Sequence, residues 1–205
     1  MRYRIIPVVD NDFFLKKVNQ DLLNIFLKRK PDTMPESLLG RLLIANMTRI
    51  PSHRLDQFLI GSLDSYYDEK NHFFWSLSHK EGTLAVAVND RPVGIDMEKI
   101  FPRDSSLFHL FTQSEWLVLG QKDWLKFYSG WTAKEAVLKV LSLDLACQSG
   151  VRIVEKTDRG FVLTYGTQHI TVDVFQKKDF MVALAQVEVS YSLESDPGNA
   201  QEVSD

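Results

Sequence analysis

The chain has 205 residues, with 24 Lys or Arg against 27 Asp or Glu for a formal net charge of −3, and 44% of it is hydrophobic. That balance fits a globular protein with a large core and gives no basic footprint for wrapping nucleic acid. Cys147 is the only cysteine, which excludes an intrachain disulfide and a cysteine metal knuckle, and no apolar run reaches the ~18 residues of a membrane span, so a cytoplasmic, non-membrane protein is expected.

Arg2 to Val9 is rich in Tyr, Ile and Val and reads as a strand, with Pro7 placing it near a sheet edge. Asn11 or Asp12 is suited to cap a helix running to about Lys30, along which Leu15, Val18, Leu22 and Phe26 recur at helical spacing before Pro31 stops it. A second helix is predicted from Pro35, with Leu38, Leu39, Leu42 and Leu43 on one stripe and Arg41 to one side.

The period then changes. Phe73–Ser78, Thr83–Val88 and Val93–Glu98 read as three short strands joined by turns. Such close successive strands are expected to be antiparallel neighbours, because a parallel crossover needs about a dozen residues. Asp123–Leu143 returns to helical spacing. Val151–Glu155, Gly160–Tyr165, His169–Phe175 and Phe180–Val189 read as further strands. Helices then strands, twice over, predict an α+β fold of two halves, residues 1–100 and 101–191. Residues 192–205, acidic and almost without apolar side chains, are expected to be a disordered tail.

No phosphate-cradling Gly-rich lysine loop, dinucleotide fingerprint or nucleophile elbow occurs, and no two histidines stand at His-x-x-x-His spacing. The chemistry concentrates elsewhere. In Val93-Gly94-Ile95-Asp96-Met97-Glu98, strand alternation puts Gly94, Asp96 and Glu98 on one face, two carboxylates about 6–7 Å apart at the backbone, with Gly94 leaving room for something to approach. On the long helix, Trp124, Phe127, Tyr128, Trp131 and Leu138 form one stripe, and at about 100° per residue Glu135 falls in its middle. A carboxylate there needs a cation. One arrangement is a local pair with Lys139, one turn on. The other turns Glu135 toward Asp96 and Glu98, three oxygen ligands that call for a hard divalent ion such as Mg²⁺ with a phosphate substrate.

Val93–Glu98, followed 39 residues from Asp96 to Glu135 by Trp131-Thr132-Ala133-Lys134-Glu135-Ala136-Val137-Leu138-Lys139, resembles the paired signature of the 4′-phosphopantetheinyl transferases. Phe74-Trp75-Ser76-Leu77-Ser78-His79 is similar to a third block of that family, and its order and gap agree. The chain length points to the Sfp-type branch, in which two similar α+β halves form a pseudo-twofold arrangement in one monomeric chain. The resemblance implies transfer of the 4′-phosphopantetheine arm of coenzyme A to a serine of an apo acyl or peptidyl carrier protein. It implies Mg²⁺ held by Asp96, Glu98 and Glu135, and Lys139 on the coenzyme A pyrophosphate. Ser78, His79 and Arg41 are implied at the coenzyme A phosphates, with Lys28 and Lys30 assisting.

Lys134 is left to the helix's other surface or a different phosphate. Glu115 is either the base for the serine proton or, with Thr112, a capping box. Where the family carries Gly-Lys-Pro, this chain reads Ile60-Gly61-Ser62-Leu63-Asp64-Ser65, so no lysine is assigned there, and Lys80 follows His79 where a serine is common. Two alternatives share these residues. One is a non-catalytic module binding coenzyme A or a carrier; the other is a different Mg²⁺ phosphotransferase or phosphodiesterase. Lys122 with Lys126, and Lys177 with Lys178, read first as solvated faces; the alternative is that either pair supplies a basic patch for an acidic carrier.

Overall fold

The computed structural model describes residues 1–8, 20–29, 34–61 and 66–187. Strand β1 (Arg2–Pro7) is followed by helices α1 (Gln20–Arg29), α2 (Met34–Thr48) and α3 (Leu55–Gly61), then by β2 (Tyr67–Asp68), β3 (Phe73–Lys80) and β4 (Thr83–Asn89). Strand β5 (Val93–Lys99) is followed by helices α4 (Gln113–Leu119) and α5 (Trp124–Val140), then by β6 (Arg152–Lys156), β7 (Gly160–Tyr165), β8 (Gln168–Lys177) and β9 (Phe180–Gln186). The fold is α+β.

The described strands form two antiparallel sheets, ordered β1-β4-β3-β2 and β5-β9-β8-β7-β6. Both are wound alike. A first strand is laid down, helices follow, and a meander brings its last strand back against the first: Arg2 lies opposite Val88, and Val93 opposite Gln186. β1 lies at a sheet edge, as Pro7 predicts.

Strand alternation divides the core into three layers. Leu84, Val86 and Val88 of β4 pack under α2 with Leu38, Leu39 and Ile44. Met181, Ala183 and Ala185 of β9 pack under α5 with Ala133, Ala136 and Val137. Between the sheets, Ala85 and Ala87 of β4 meet Val93, Ile95, Met97, Val182 and Leu184. Both sheets are therefore covered on both faces, which is why β4 and β9 read as nearly continuous apolar runs.

One expectation is overturned. β5 is not the hydrogen-bonded neighbour of β4; it pairs along its length with β9, more than eighty residues later. The turn at Asn89–Pro92 carries the chain from one sheet to the other. The edge of β5 away from β9 is met by hydroxyls instead: the Ile95 N–H donates to Ser76 Oγ at 3.0 Å and the Met97 N–H to Ser78 Oγ at 3.2 Å. Two serines at alternate positions of β3 satisfy strand donors that a β-ladder would otherwise take.

The predicted start of the first helix, its stop at Pro31 and the acidic tail lie outside the described residues. Helix α3 and strand β2 have no counterpart in the sequence reading, being seven and two residues long and too short to show a period. Among the described residues no helix is long and apolar enough to cross a membrane.

Candidate active site between the long helix and the edge strand

Helix α5 begins where the Asp123 side chain accepts the Lys126 N–H at 2.8 Å, satisfying one of the first-turn donors. It lies close against β5 because Gly94 has no side chain. A Cβ there would stand 2.0 Å from the Ala136 carbonyl oxygen and 2.8 Å from the Val140 nitrogen. The room that Gly94 leaves is thus filled by the backbone of α5.

This close seating changes the place of Glu135. Gly130, Thr132, Ala133, Ala136 and Val137 are buried, so the sheet encloses most of the helix circumference rather than one aromatic stripe. Glu135 and Trp131 are half-buried at the accessible rim. A helical wheel marks apolar directions on its own helix; it does not register that small side chains let a sheet wrap further round.

Asp96 is 4% exposed. Its Oδ1 accepts from Ser78 Oγ at 2.9 Å and from Lys139 Nζ at 2.8 Å, whereas its buried Oδ2 has no hydrogen-bond partner. Lys139 also donates to the carbonyls of Leu77 (3.3 Å) and Ile95 (3.1 Å), so its ammonium pins α5, β3 and β5 together. Lys139 therefore pairs across the fold with Asp96 and not with Glu135 along the helix. Glu98 Oε2 lies 2.9 Å from Lys80 Nζ, an ion pair without hydrogen-bond alignment. Burial first, and then the charge of Asp96, push the Glu135 carboxyl up to about 7; Lys139 draws it back, and Glu98 adds to the rise.

Among the described residues no three His, Cys, Asp or Glu side chains are grouped closely enough to hold a metal ion as they stand. Each strand acid is met by a lysine. The donor set nevertheless fits a hard divalent cation. It is all oxygen, it includes a buried carboxylate oxygen without a partner, and Asp96 and Glu98 both raise the pKa of Glu135, a repulsion that a cation relieves.

The other predicted residues fall in two places. Ser78 is buried, giving its proton to Asp96 and accepting the Met97 N–H, while His79, the next residue on β3, is half-buried on the opposite face, shared with Trp75 and Leu77. On that side the Arg41 guanidinium lies 5.1 Å from the Trp75 ring centre. Arg41 is 5% exposed, donates to the Ser37 carbonyl and hydroxyl, and burial lowers its pKa to about 10. Lys28 is exposed on α1, and Lys30 lies outside the described residues.

Glu115 is 1% exposed and completes the capping box of α4 with Thr112. Its Oε1 lies 2.7 Å from Lys134 Nζ and accepts the Ile153 N–H, while its Oε2 accepts the Thr112 N–H. Burial pushes this carboxyl up, but the donors outweigh it and hold the group below the usual carboxylate range. Lys134 is 2% exposed, and burial draws its ammonium down. Lys134 thus serves the buried side of α5.

Sequence reasoning missed the role of Ser76, the ion pair of Lys80 with Glu98 and the pairing of Lys139 with Asp96. The Ser-x-Ser spacing on β3 was the available signal, because polar residues at alternate positions of an otherwise apolar strand must find partners.

No curated protein matches the chain. Residues 92–185, which run from the turn before β5 through α5 and into β9, match the family model of the 4′-phosphopantetheinyl transferase superfamily.

Proposed function

We propose that the protein transfers the 4′-phosphopantetheine arm of coenzyme A to a serine hydroxyl of an apo acyl or peptidyl carrier protein, releasing adenosine 3′,5′-bisphosphate. We assign it to the pseudo-dimeric, Sfp-type branch of the family. The observation that carries this reading is the 2.8 Å contact of Lys139 on α5 with Asp96 on β5, with Glu135 on the same helix near enough to feel the charges of Asp96 and Glu98, inside the segment matched by the family model. The alike winding of the two sheets supports the choice of branch.

Asp96, Glu98 and Glu135 are the residues that would hold Mg²⁺, which when bound neutralises the charge on pyrophosphate oxygens and orients them for in-line attack. Ser78 orients Asp96, since its one proton is already given to that carboxylate. Lys139 supplies a flexible positive charge at the same acids for a phosphate oxygen. Arg41 and His79, on the α2 side of β3, supply the cationic end for a further phosphate, with Lys28 outside them. Glu135 is better suited than Glu115 to accept the serine proton. Its carboxyl lies at an accessible rim near the strand acids, whereas that of Glu115 is enclosed and saturated with donors.

Incubation with coenzyme A, Mg²⁺ and a panel of apo carrier proteins tests the reading by mass spectrometry. Gain of one phosphopantetheine mass on a carrier serine is expected, and Glu135→Ala abolishes it. Coenzyme A binding without any gain overturns it in favour of a binding module. Release of inorganic phosphate points to a different phosphotransferase.

A further inference from the structure

We propose that the basic groove along β1 is the docking site of the chain's own acidic C-terminal segment, residues 188–205. The groove has a volume of about 670 Å³ and is lined by Arg2, Arg4, Arg49 and Lys177 together with Tyr3 and Met47. Among the described residues none of these four cations pairs with a carboxylate. The same groove runs beside a free sheet edge, because β1 is paired with β4 alone among the described strands. An unpaired edge with basic side chains accepts an added strand of opposite charge.

The occupant is indicated by where the chain goes next. β9 ends at Gln186, whose Nε2 donates to Met1 Sδ at 3.5 Å, so the chain leaves the second sheet at the mouth of the groove. The 18 residues from 188 to 205 hold Glu188, Glu194, Asp196, Glu202 and Asp205 and no Lys, Arg or His. Six residues of β1 need about 20 Å of strand, well within their reach. Residues 9–19, which leave the other end of β1, hold two acids against two lysines and offer no such complement.

The pattern of the segment agrees. Glu188-Val189-Ser190-Tyr191-Ser192-Leu193-Glu194 alternates apolar with polar or acidic residues, the signature of a strand with two unlike faces. β1 also has unlike faces. Arg2 and Arg4 lie on one, while Tyr3, 5.7 Å from the Phe175 ring, and Ile5 lie on the other, toward the second sheet. A strand added to this edge sets its acids beside the arginines and Val189, Tyr191 and Leu193 beside Tyr3.

Full-length protein tests this without truncation. Hydrogen exchange of the amides of residues 2–6 is compared between the natural chain and a Glu194→Lys, Asp196→Lys variant at low and high salt. The variant, and high salt on the natural chain, are expected to raise exchange at β1 about tenfold while leaving β3 and β8 unchanged. Arg4→Glu is expected to do the same, and combining it with Glu194→Lys to restore protection. Zero-length carbodiimide coupling should join Lys177 to an acid of 188–205 within one chain. Equal exchange in every variant overturns the proposal, as does a cross-link only between isotopically distinct copies, or protection that appears only on adding an acidic carrier protein.

Discussion

Lys139 Nζ lies 2.8 Å from Asp96 Oδ1, joining the long helix to the strand that carries the paired acids. Replacing it with Met leaves a buried carboxylate with Ser78 as its only donor. The pair is partly solvated on the lysine side, so the expected loss is about 1–3 kcal/mol, below that of a fully buried pair. Calorimetric unfolding measures it, and Mg²⁺ should raise the melting temperature of Lys139→Met more than that of the natural protein.

Gly94 faces the backbone of α5 across β5. Ala at this position puts a methyl group against a carbonyl that cannot move aside without shifting the helix. Gly94→Ala should therefore cost upward of about 1–3 kcal/mol and lower transfer activity by displacing Glu135 from the strand acids. Denaturant unfolding and a carrier-loading assay, read together, check both effects.

Glu115 and Lys134 form a buried pair on the far side of the same helix. Glu115→Gln leaves the ammonium without its countercharge and is expected to cost about 3–5 kcal/mol in stability. If Glu115 were the proton acceptor, the substitution would abolish turnover while leaving the melting temperature nearly unchanged. Thermal unfolding of the variant distinguishes these outcomes.

Glu135 gives the fold a pH dependence of definite sign. Its carboxyl is raised from the ordinary 4.5 to about 7 in the folded protein, burial being the larger cause and Asp96 the next. The folded state therefore holds the proton more tightly, so stability is greatest below about 4.5 and is lost as pH rises through about 7. Melting temperatures of the natural chain between pH 5 and 8 should fall relative to those of Glu135→Gln, and Mg²⁺ should flatten the difference.

The α+β architecture and the three strands from Phe73 to Lys99 are legible because alternation and turn chemistry are local signals. The partner of β5 is not legible. Alternation fixes which face Asp96 occupies, but not whether the neighbouring strand is β4 or, much later in the chain, β9. The Glu135–Lys139 spacing suggests a helical pair, yet Lys139 finds a carboxylate and two carbonyls across the fold, and that tertiary choice overrides the local one. At Glu115 the capping box is fully legible, while its tie to Lys134 depends on the distance between two helices.

In the proposed reaction Asp96, Glu98 and Glu135 share one divalent ion beside bound coenzyme A. Titration of Mn²⁺, as a paramagnetic stand-in, into the coenzyme A complex and read by electron paramagnetic resonance tests it most directly. One ion per chain should bind the natural protein, and Asp96→Asn and Glu135→Gln should each weaken it at least tenfold. Equal Mn²⁺ affinity in all three proteins would contradict the claim.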